Sequence, residues 1–149
     1  RDGDGDGLGN ECDSDADGDS IANASDTDDD NDGALDVQDC AATDKLVFAR
    51  PGESPVLASS PDKQSWSWTA DLSGSATSYR LDRGTIPASG FGGFDHRCVV
   101  RDLVAPSASD SLLPASGQSH YYFGLLENCF GAGDAGMTSN GPRPTGPCP

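Results

Sequence analysis

Apolar and polar residues alternate in short stretches from Lys45 onward, and turn-forming residues separate the stretches. A period of two is typical of β-strands buried on one face. No stretch has a helical apolar period over the length of a helix. Five or more short strands over about 100 residues indicate an antiparallel β-sandwich. The predicted strands are Lys45–Arg50, Ser65–Ala70, Ser78–Arg83, His96–Leu103 and His120–Asn128, with a last strand within Gly136–Asn140.

The aromatic residues of these strands are placed to form a core. Trp66 and Trp68 share one face of their predicted strand, as do Tyr79 and Leu81. The same holds for Tyr122 and Leu126 on the longest strand. A core role outweighs a ligand platform for residues in this pattern.

The first 44 residues differ in both hydropathy and charge. Leu8, Ile21, Leu35 and Val37 are almost their only large apolar side chains, too few to bury a core that offsets chain entropy. They hold 16 acidic residues and one basic residue, a charge of −15, whereas residues 45–149 hold 9 acidic and 8 basic residues, a charge of −1. The chain is therefore predicted to have two parts, residues 1–44 (the array) and residues 45–149. Without metal, the array is expected to be an expanded, self-repelling coil.

The acidic residues of the array repeat with a period of 13, in the segments 2–13, 15–26 and 28–39. Aspartate occupies positions one, three, five and twelve of each segment. Position six is glycine or serine, and position nine is asparagine or aspartate. At this spacing, alternate side chains of one loop converge on a hard cation, and position seven can add a backbone carbonyl. Oxygen ligands favour calcium over softer metals. The predicted calcium ligands are Asp2, Asp4, Asp6, Asn10, Asp13, Asp15, Asp17, Asp19, Asn23, Asp26, Asp28, Asp30, Asp32, Asp36 and Asp39.

Two other interpretations, an acidic disordered tail and a pair of EF-hands or a dockerin-like module, fit the array less well. A disordered acidic tail would mix glutamate with aspartate and have no period, whereas this segment has 15 aspartates and one glutamate in register. Helical EF-hands are excluded because Asp13 ends one loop and Asp15 starts the next, which leaves no room for a helix. Ser20 replaces the small glycine of the middle loop, so a second phase for that loop stays open, with Asp13, Asp15 and Asp17 followed by Gly18.

The array resembles the thrombospondin type 3 repeat family over about residues 1–40. The resemblance lies in the pattern Asp-x-Asp-x-Asp-Gly-x-x-Asn/Asp-x-x-Asp, in Gly9-Asn10-Glu11-Cys12-Asp13 and in Asp36-Val37-Gln38-Asp39-Cys40. It implies tandem loops wrapped around a line of calcium ions, with little regular secondary structure and with disulfides that brace the array.

The second part resembles the fibronectin type III-like domains at the ends of secreted bacterial proteins. The matching segments are Ser65-Trp66-Ser67-Trp68, Ala76-Thr77-Ser78-Tyr79-Arg80-Leu81-Asp82-Arg83-Gly84, and Tyr121-Tyr122-Phe123 to Asn128 with Gly131 and Gly133. The resemblance implies a mostly β protein with an antiparallel fibronectin III-like β-sandwich over residues 45–149. It says little about function, since such sandwiches have many binding roles.

Five cysteines in a chain of this composition suggest that the protein works outside the cell, in an oxidising and calcium-rich environment. Sequence alone does not fix their connectivity. Cys12 and Cys40 are a candidate pair within the array, which would leave one of Cys98, Cys129 and Cys148 over. The odd cysteine has three interpretations: a free thiol, a bond to a neighbouring molecule, or a partner lost from a fragment. The last two are favoured equally. A start within a calcium loop, with no initiator methionine, signal peptide or transmembrane run, is expected of a processed piece or a fragment.

No motif predicts catalysis, and the chain is not expected to be an enzyme. His96 lies in Asp95-His96-Arg97-Cys98, which is more typical of a strand with a disulfide cysteine than of a nucleophile. A net charge of −16 disfavours nucleic acid, and nothing supports membrane insertion.

The sequence therefore predicts a secreted or surface calcium-binding structural protein, bacterial in type. A calcium-rigidified spacer would precede the sandwich, as a subunit or piece of a self-assembling fibre or matrix. The expected partners are calcium ions and a second copy or another extracellular protein. The alternative is a glycan- or protein-binding accessory or adhesion module of a larger secreted hydrolase or adhesin, with Phe91 and Phe94 as candidate contacts.

Overall fold

A computed structural model describes residues 1–53, 57–138, 141–143, 145 and 148, with the backbone alone at 137–138 and 141–142. Within these residues the chain is mostly β outside the array, and its one helical element is a 3-10 turn at Asn10–Cys12. The strands are β1 Leu57–Ser59, β2 Ser65–Trp68, β3 Ser78–Ile86, β4 Arg97–Leu103, β5 Ser107–Ser109, β6 Ser119–Asn128, β7 Gly131–Ala132, β8 Met137–Thr138 and β9 Gly141–Pro142.

The strands form two main antiparallel sheets. One has the order β1-β2-β5 and the other has the order β4-β3-β6-β7, while β8 and β9 form a separate hairpin. Strands β3 and β6 pair without interruption from Ser78 opposite Glu127 to Ile86 opposite Ser119. This is the longest strand pair of the second part. The arrangement confirms a mostly β, sandwich-like fold.

The core lies between the two sheets and is built on the alternation in β2. Trp66 and Trp68 are buried, whereas the serines beside them are exposed. Both indoles pack with Leu81 of β3, and Tyr79 and Tyr122 border the cluster. Burial of one large apolar side chain contributes about 1.5–3 kcal/mol, so this small cluster supplies much of the stability. The predicted core role of these aromatics is confirmed.

The predicted strand at Lys45–Arg50 is wrong. This segment forms turns, in which the Val47 amide donates to the Asp44 carbonyl at 2.8 Å. Its Ala49 carbonyl instead accepts a hydrogen bond from the side chain of Asn128 at 2.7 Å. The segment alternates in hydropathy, but only Val47 is buried, while Leu46 and Phe48 stay exposed. Side chains of the sandwich hold its backbone, so no neighbouring strand is needed.

The other predicted strands are present with shifted ends, and four short strands, β1, β5, β7 and β9, were not predicted. Strands β1 and β5 have three residues each and no fully buried side chain. They are therefore too short for an alternating apolar pattern to be recognised in the sequence. The last predicted strand, within Gly136–Asn140, corresponds to β8, and its residues 139 and 140 lie outside the described part of the chain.

The face of the four-stranded sheet opposite the core carries a buried polar cluster. Arg80 pairs with Asp82 at 2.7 Å and with Glu127 at 3.5 Å, and the imidazole of His96 lies 4.0 Å from Asp82. The C-terminal segment returns to this face at two described points. The guanidinium of Arg143 lies over the rings of Phe94 and Phe123, and Cys148 is bonded to Cys98 of β4.

The disulfides differ from the candidate pairing within the array. Cys40 is bonded to Cys129, with a Cα–Cα distance of 5.8 Å, and Cys98 to Cys148. The free thiol is Cys12, which is exposed. Cys40 reaches the sandwich because the segment that follows it is held against the turn after β6, where Arg50 donates to the Phe130 carbonyl at 3.1 Å. The prediction that Cys98 is a disulfide cysteine on a strand is confirmed.

Candidate metal centre

The three loops of the array share one hydrogen-bond pattern at equivalent positions. The carboxylate at position five accepts the amide of position seven at 2.7 Å in every loop. The carboxylate at position three accepts the amide of position five at 3.1 Å. The carboxylate at position one accepts the amide of position six, also at 3.1 Å. These bonds wrap each backbone around its own aspartates, as Asx turns do. The middle loop follows the phase that begins at Asp15.

Position nine closes its own loop, and position twelve holds the backbone that follows the loop. The side-chain oxygen of Asn23 accepts the Ala16 amide, and that of Asp36 accepts the Asp29 amide, both at 3.0 Å. At position twelve, one carboxylate oxygen accepts an amide two residues later. Asp13 does so at 3.0 Å, Asp26 at 3.1 Å and Asp39 at 2.7 Å. Position nine therefore braces its own loop, while Asp13 and Asp26 at position twelve fix the start of the loop that follows.

Each loop contains two residues in the left-handed region, at positions four and six. Position six is the predicted turn, where Ser20 has a φ of 77° in place of the glycine of the other loops. Position four was not singled out by the sequence reasoning. It is Gly5, Gly18 or Asn31, and Asn31 has a φ of 56°. Asparagine tolerates this conformation better than most residues. The recurrence of glycine or asparagine at position four is therefore the sequence feature that could have identified this turn.

The aspartates at positions one, three and five form three compact groups, in which a ligand oxygen of each residue lies within 4.8 Å of the others. The groups are Asp2, Asp4, Asp6; Asp15, Asp17, Asp19; and Asp28, Asp30, Asp32. Two carboxylates at this distance repel by about 1 kcal/mol in water and by about 3 kcal/mol at a protein surface. Among the described ion pairs, the one in the array joins Arg1 to Asp44, outside all three groups.

Four of the remaining predicted ligands, Asp13, Asp26, Asp36 and Asp39, are not members of these groups. Each of the four accepts a hydrogen bond from a backbone amide. Asn10 is buried, with its side-chain nitrogen donating to the Thr43 carbonyl and its side-chain oxygen without a partner.

Several buried carboxylate oxygens have no hydrogen-bond partner among the described residues. In the array they belong to Asp15, Asp29, Asp30, Asp32 and Asp39. Burial, together with the charge of Asp32, raises the pKa of Asp30 to about 6. Burial and the charge of Asp36 also raise the pKa of Asp29. Unpartnered buried carboxylates are costly, and a cation among them would remove that cost. Asp29 was not predicted as part of the site, because it stands at position two of its loop.

The array folds back so that its beginning lies beside its end. Arg1 pairs with Asp44 and also donates to the Gly74 carbonyl at 2.6 Å. Lys45 donates to the Gly3 carbonyl. Successive loops also touch, since the Asn31 side chain donates to Asp17. The array is therefore a closed structure seated on the sandwich rather than a straight segment.

Comparison of the chain with protein-family models, curated proteins and solved structures gives no match. The described residues contain no helix with the length and apolarity that crossing a bilayer requires. The two disulfides are typical of proteins that fold in an oxidising compartment. The metal-binding capacity of the site is therefore inferred from its own side chains.

The donor set of the array fits a hard cation. Its ligand atoms are carboxylate and amide oxygens, without the sulfur or imidazole donors that soft metals prefer. The aspartate groups can hold a metal ion in each of the three loops.

Proposed function

We propose that the protein is an extracellular calcium-binding structural protein. The observation that supports this most is the threefold recurrence of one loop geometry, with three carboxylates within 4.8 Å of one another in each loop. Calcium, when bound, would supply the positive charge that these groups lack. The loops would then hold their shape, and the array would be fixed beside the sandwich.

Calcium is preferred to magnesium because of the number of oxygens available. Each loop brings together the carboxylates of positions one, three and five. The carbonyl of position seven and the side-chain oxygens of positions nine and twelve would complete the ligand set when calcium is bound. Calcium takes six to eight oxygen ligands with flexible geometry, whereas magnesium requires a near-ideal octahedron and keeps several waters. Extracellular modules bind calcium with dissociation constants on the order of 0.1–1 mM, so the loops would be filled outside a cell.

Calorimetric titration of the chelator-treated protein tests this proposal. Calcium is expected to bind at up to three sites, with an increase in ordered backbone measured by circular dichroism. Magnesium at the same concentration is expected to bind more weakly. A protein whose three position-one aspartates, Asp2, Asp15 and Asp28, are changed to asparagine is the matched variant and should lose most of the heat of binding. An unchanged titration in that variant would refute the proposal.

We further propose that the protein is a subunit or piece of a self-assembling fibre or matrix. The exposed thiol of Cys12 supports this, because an exposed free thiol is accessible to a cysteine of a neighbouring molecule. Light scattering after size-exclusion chromatography, without reductant and with millimolar calcium, should show large assemblies that reductant or chelator dissolves. Cys12→Ser should prevent the reductant-sensitive species. A wild-type protein that stays monomeric at high concentration would exclude self-assembly.

One observation favours the alternative of a binding module. A cleft of about 430 Å³ lies beside Trp66 and Tyr122, with Leu112 and Leu113 on its wall and Lys63 at its edge. Its volume is within the range of small-ligand sites. Phe91 and Phe94, the glycan contacts suggested by the sequence, are less suited to binding a sugar ring. Their rings meet at 69° and offer no flat platform. Saturation-transfer NMR with oligosaccharides would detect such binding, and Leu113→Asp should abolish it.

A further inference from the structure

The three loops have the same ligand pattern but differ in burial. Asp2, Asp4 and Asp6 of the first loop are exposed. In the second loop Asp15 and Asp17 are partly buried, and Asp19 is exposed. In the third loop Asp30 is buried, with only 4% of its surface exposed, and its two partners are partly buried. A charge interaction strengthens as water is excluded, so equal ligand sets are expected to bind a cation unequally.

The third loop also contains the most buried oxygens without a hydrogen-bond partner. One oxygen each of Asp30, Asp32 and Asp39 lacks a partner among the described residues. Asp39 is also buried, with 9% of its surface exposed. In the second group the equivalent oxygen belongs to Asp15 alone. Water can solvate the exposed aspartates of the first loop, but it cannot compensate Asp30 and Asp39 to the same degree.

The third loop is the one that is joined covalently to the sandwich. Asp39 is followed directly by Cys40, which is bonded to Cys129. Cys129 follows Asn128, whose side chain donates to the carbonyls of Ala49 and Ser75 at 2.7 and 3.0 Å. The backbone that carries the last ligand of this loop is therefore fixed by the sandwich, and the ligand is held in place before a cation arrives.

We infer that the third loop fills first, and that its occupancy stabilises the sandwich through the Cys40–Cys129 disulfide. The inference rests on the proposed calcium binding and assigns an order and a structural effect to it. The coupling is reciprocal: if calcium in this loop stabilises the folded sandwich, unfolding of the sandwich weakens calcium binding in this loop.

The two tryptophans of the chain, Trp66 and Trp68, both lie in the sandwich core. Their fluorescence during thermal unfolding therefore reports on the sandwich and not on the array. Calcium titration by calorimetry reports on the loops. The two measurements together separate binding from its effect on the sandwich.

The experiment compares position three of every loop in the full-length protein, using Asp4→Asn, Asp17→Asn and Asp30→Asn. Asp30→Asn is expected to weaken the tightest calcium-binding step by about ten-fold or more, because it removes a buried ligand charge. It should also abolish the calcium-dependent rise in the melting temperature of the tryptophan signal. Asp4→Asn and Asp17→Asn should instead weaken later, weaker calcium-binding steps, and the calcium-dependent rise in melting temperature should persist in both. Glu11→Gln removes an exposed array charge outside the ligand set and serves as the control.

A second variant tests the connection itself. Replacing Cys40 and Cys129 by serine leaves every calcium ligand in place. Calcium should still bind, but the calcium-dependent rise in the melting temperature of the tryptophan signal should become much smaller. A rise of wild-type size would refute coupling through this disulfide.

The outcomes distinguish the inference from the function on which it rests. If the wild-type protein binds no calcium, the proposed function fails. If it binds calcium but Asp4→Asn removes the tightest step, or Asp30→Asn keeps the rise in melting temperature, the inference is overturned and the proposed function stands.

Discussion

The indole ring of Trp68 lies directly over the backbone of Gly124. A Cβ atom at position 124 would come within 2.5 Å of that ring, so the two sheets approach more closely here than any side chain allows. Gly124→Ala is expected to destabilise the sandwich by about 1–3 kcal/mol through overpacking. Urea unfolding followed by tryptophan fluorescence measures the change. Gly92→Ala is the control, because a Cβ there meets nothing within 4 Å, and equal effects at the two sites would contradict the prediction.

Ser20 adopts a left-handed backbone conformation that glycine adopts without strain. Its φ of 77° compares with 99° at Gly7 and 97° at Gly33. Ser20→Gly is expected to stabilise the middle loop by about 1 kcal/mol and to tighten calcium binding there. Gly33→Ser should have the opposite effect in the third loop, where a Cβ meets no other atom within 4 Å. Calcium titration of both variants provides the measurement, and weaker binding by Ser20→Gly would refute the strain argument.

Asp71 closes the turn before β3 through its carboxylate. Burial raises the pKa of Asp71, but hydrogen bonds from Ser73, Ala76 and Ser75 together outweigh it and lower the pKa below its ordinary value. The Ser73 hydroxyl donates at 2.6 Å and the Ala76 amide at 2.7 Å.

Since the folded-state pKa of Asp71 lies below the unfolded value of about 3.9, its contribution is present above about pH 4. It is lost as the pH falls through the folded-state pKa. Asp71→Asn should lower stability at pH 6 by about 1 kcal/mol and narrow its difference from the wild type toward pH 3. Urea midpoints across this range test the prediction, and a constant difference between the two proteins would contradict it.

The disulfide arrangement predicts a single reactive thiol. Alkylation of the non-reduced monomer should label Cys12 and no other cysteine, because Cys12 is exposed and the other four are paired. Peptide mapping by mass spectrometry should recover the Cys40–Cys129 and Cys98–Cys148 cross-links. A Cys12–Cys40 cross-link would instead support bracing within the array and would remove the covalent connection to the sandwich.

The parts of the fold that sequence predicted well are those with a strong local pattern. Trp66 and Trp68 alternate with serines, so their strand and its buried face follow from a period of two. The aspartate spacing likewise identified the groups at positions one, three and five. Strands β1 and β5 were missed because three residues without a buried side chain carry too little pattern. The strand predicted at Lys45–Arg50 was wrong because this backbone is held by a side chain distant in sequence. The Asn128 side chain donates a hydrogen bond to the Ala49 carbonyl.

The site has a similar division between local and long-range information. Repeat spacing indicates which residues share a loop, but it does not indicate which loop becomes buried. The burial of Asp30 and the unpartnered oxygen of Asp29 depend on how the loops pack after folding. The pairing of Cys40 with Cys129 joins residues 89 positions apart, and no local rule connects them.

The contact of Lys45 with Gly3 and that of Asn10 with Thr43 bring the first loop back to the end of the third. Tandem repeats usually tolerate the gain or loss of a unit, because each unit touches only its neighbours. In this array a lost or duplicated 13-residue unit would separate both contacts and displace Cys40 from Cys129. Copy number is thus constrained here by geometry, and divergence of such an array is expected through substitutions within loops rather than through changes in the number of loops.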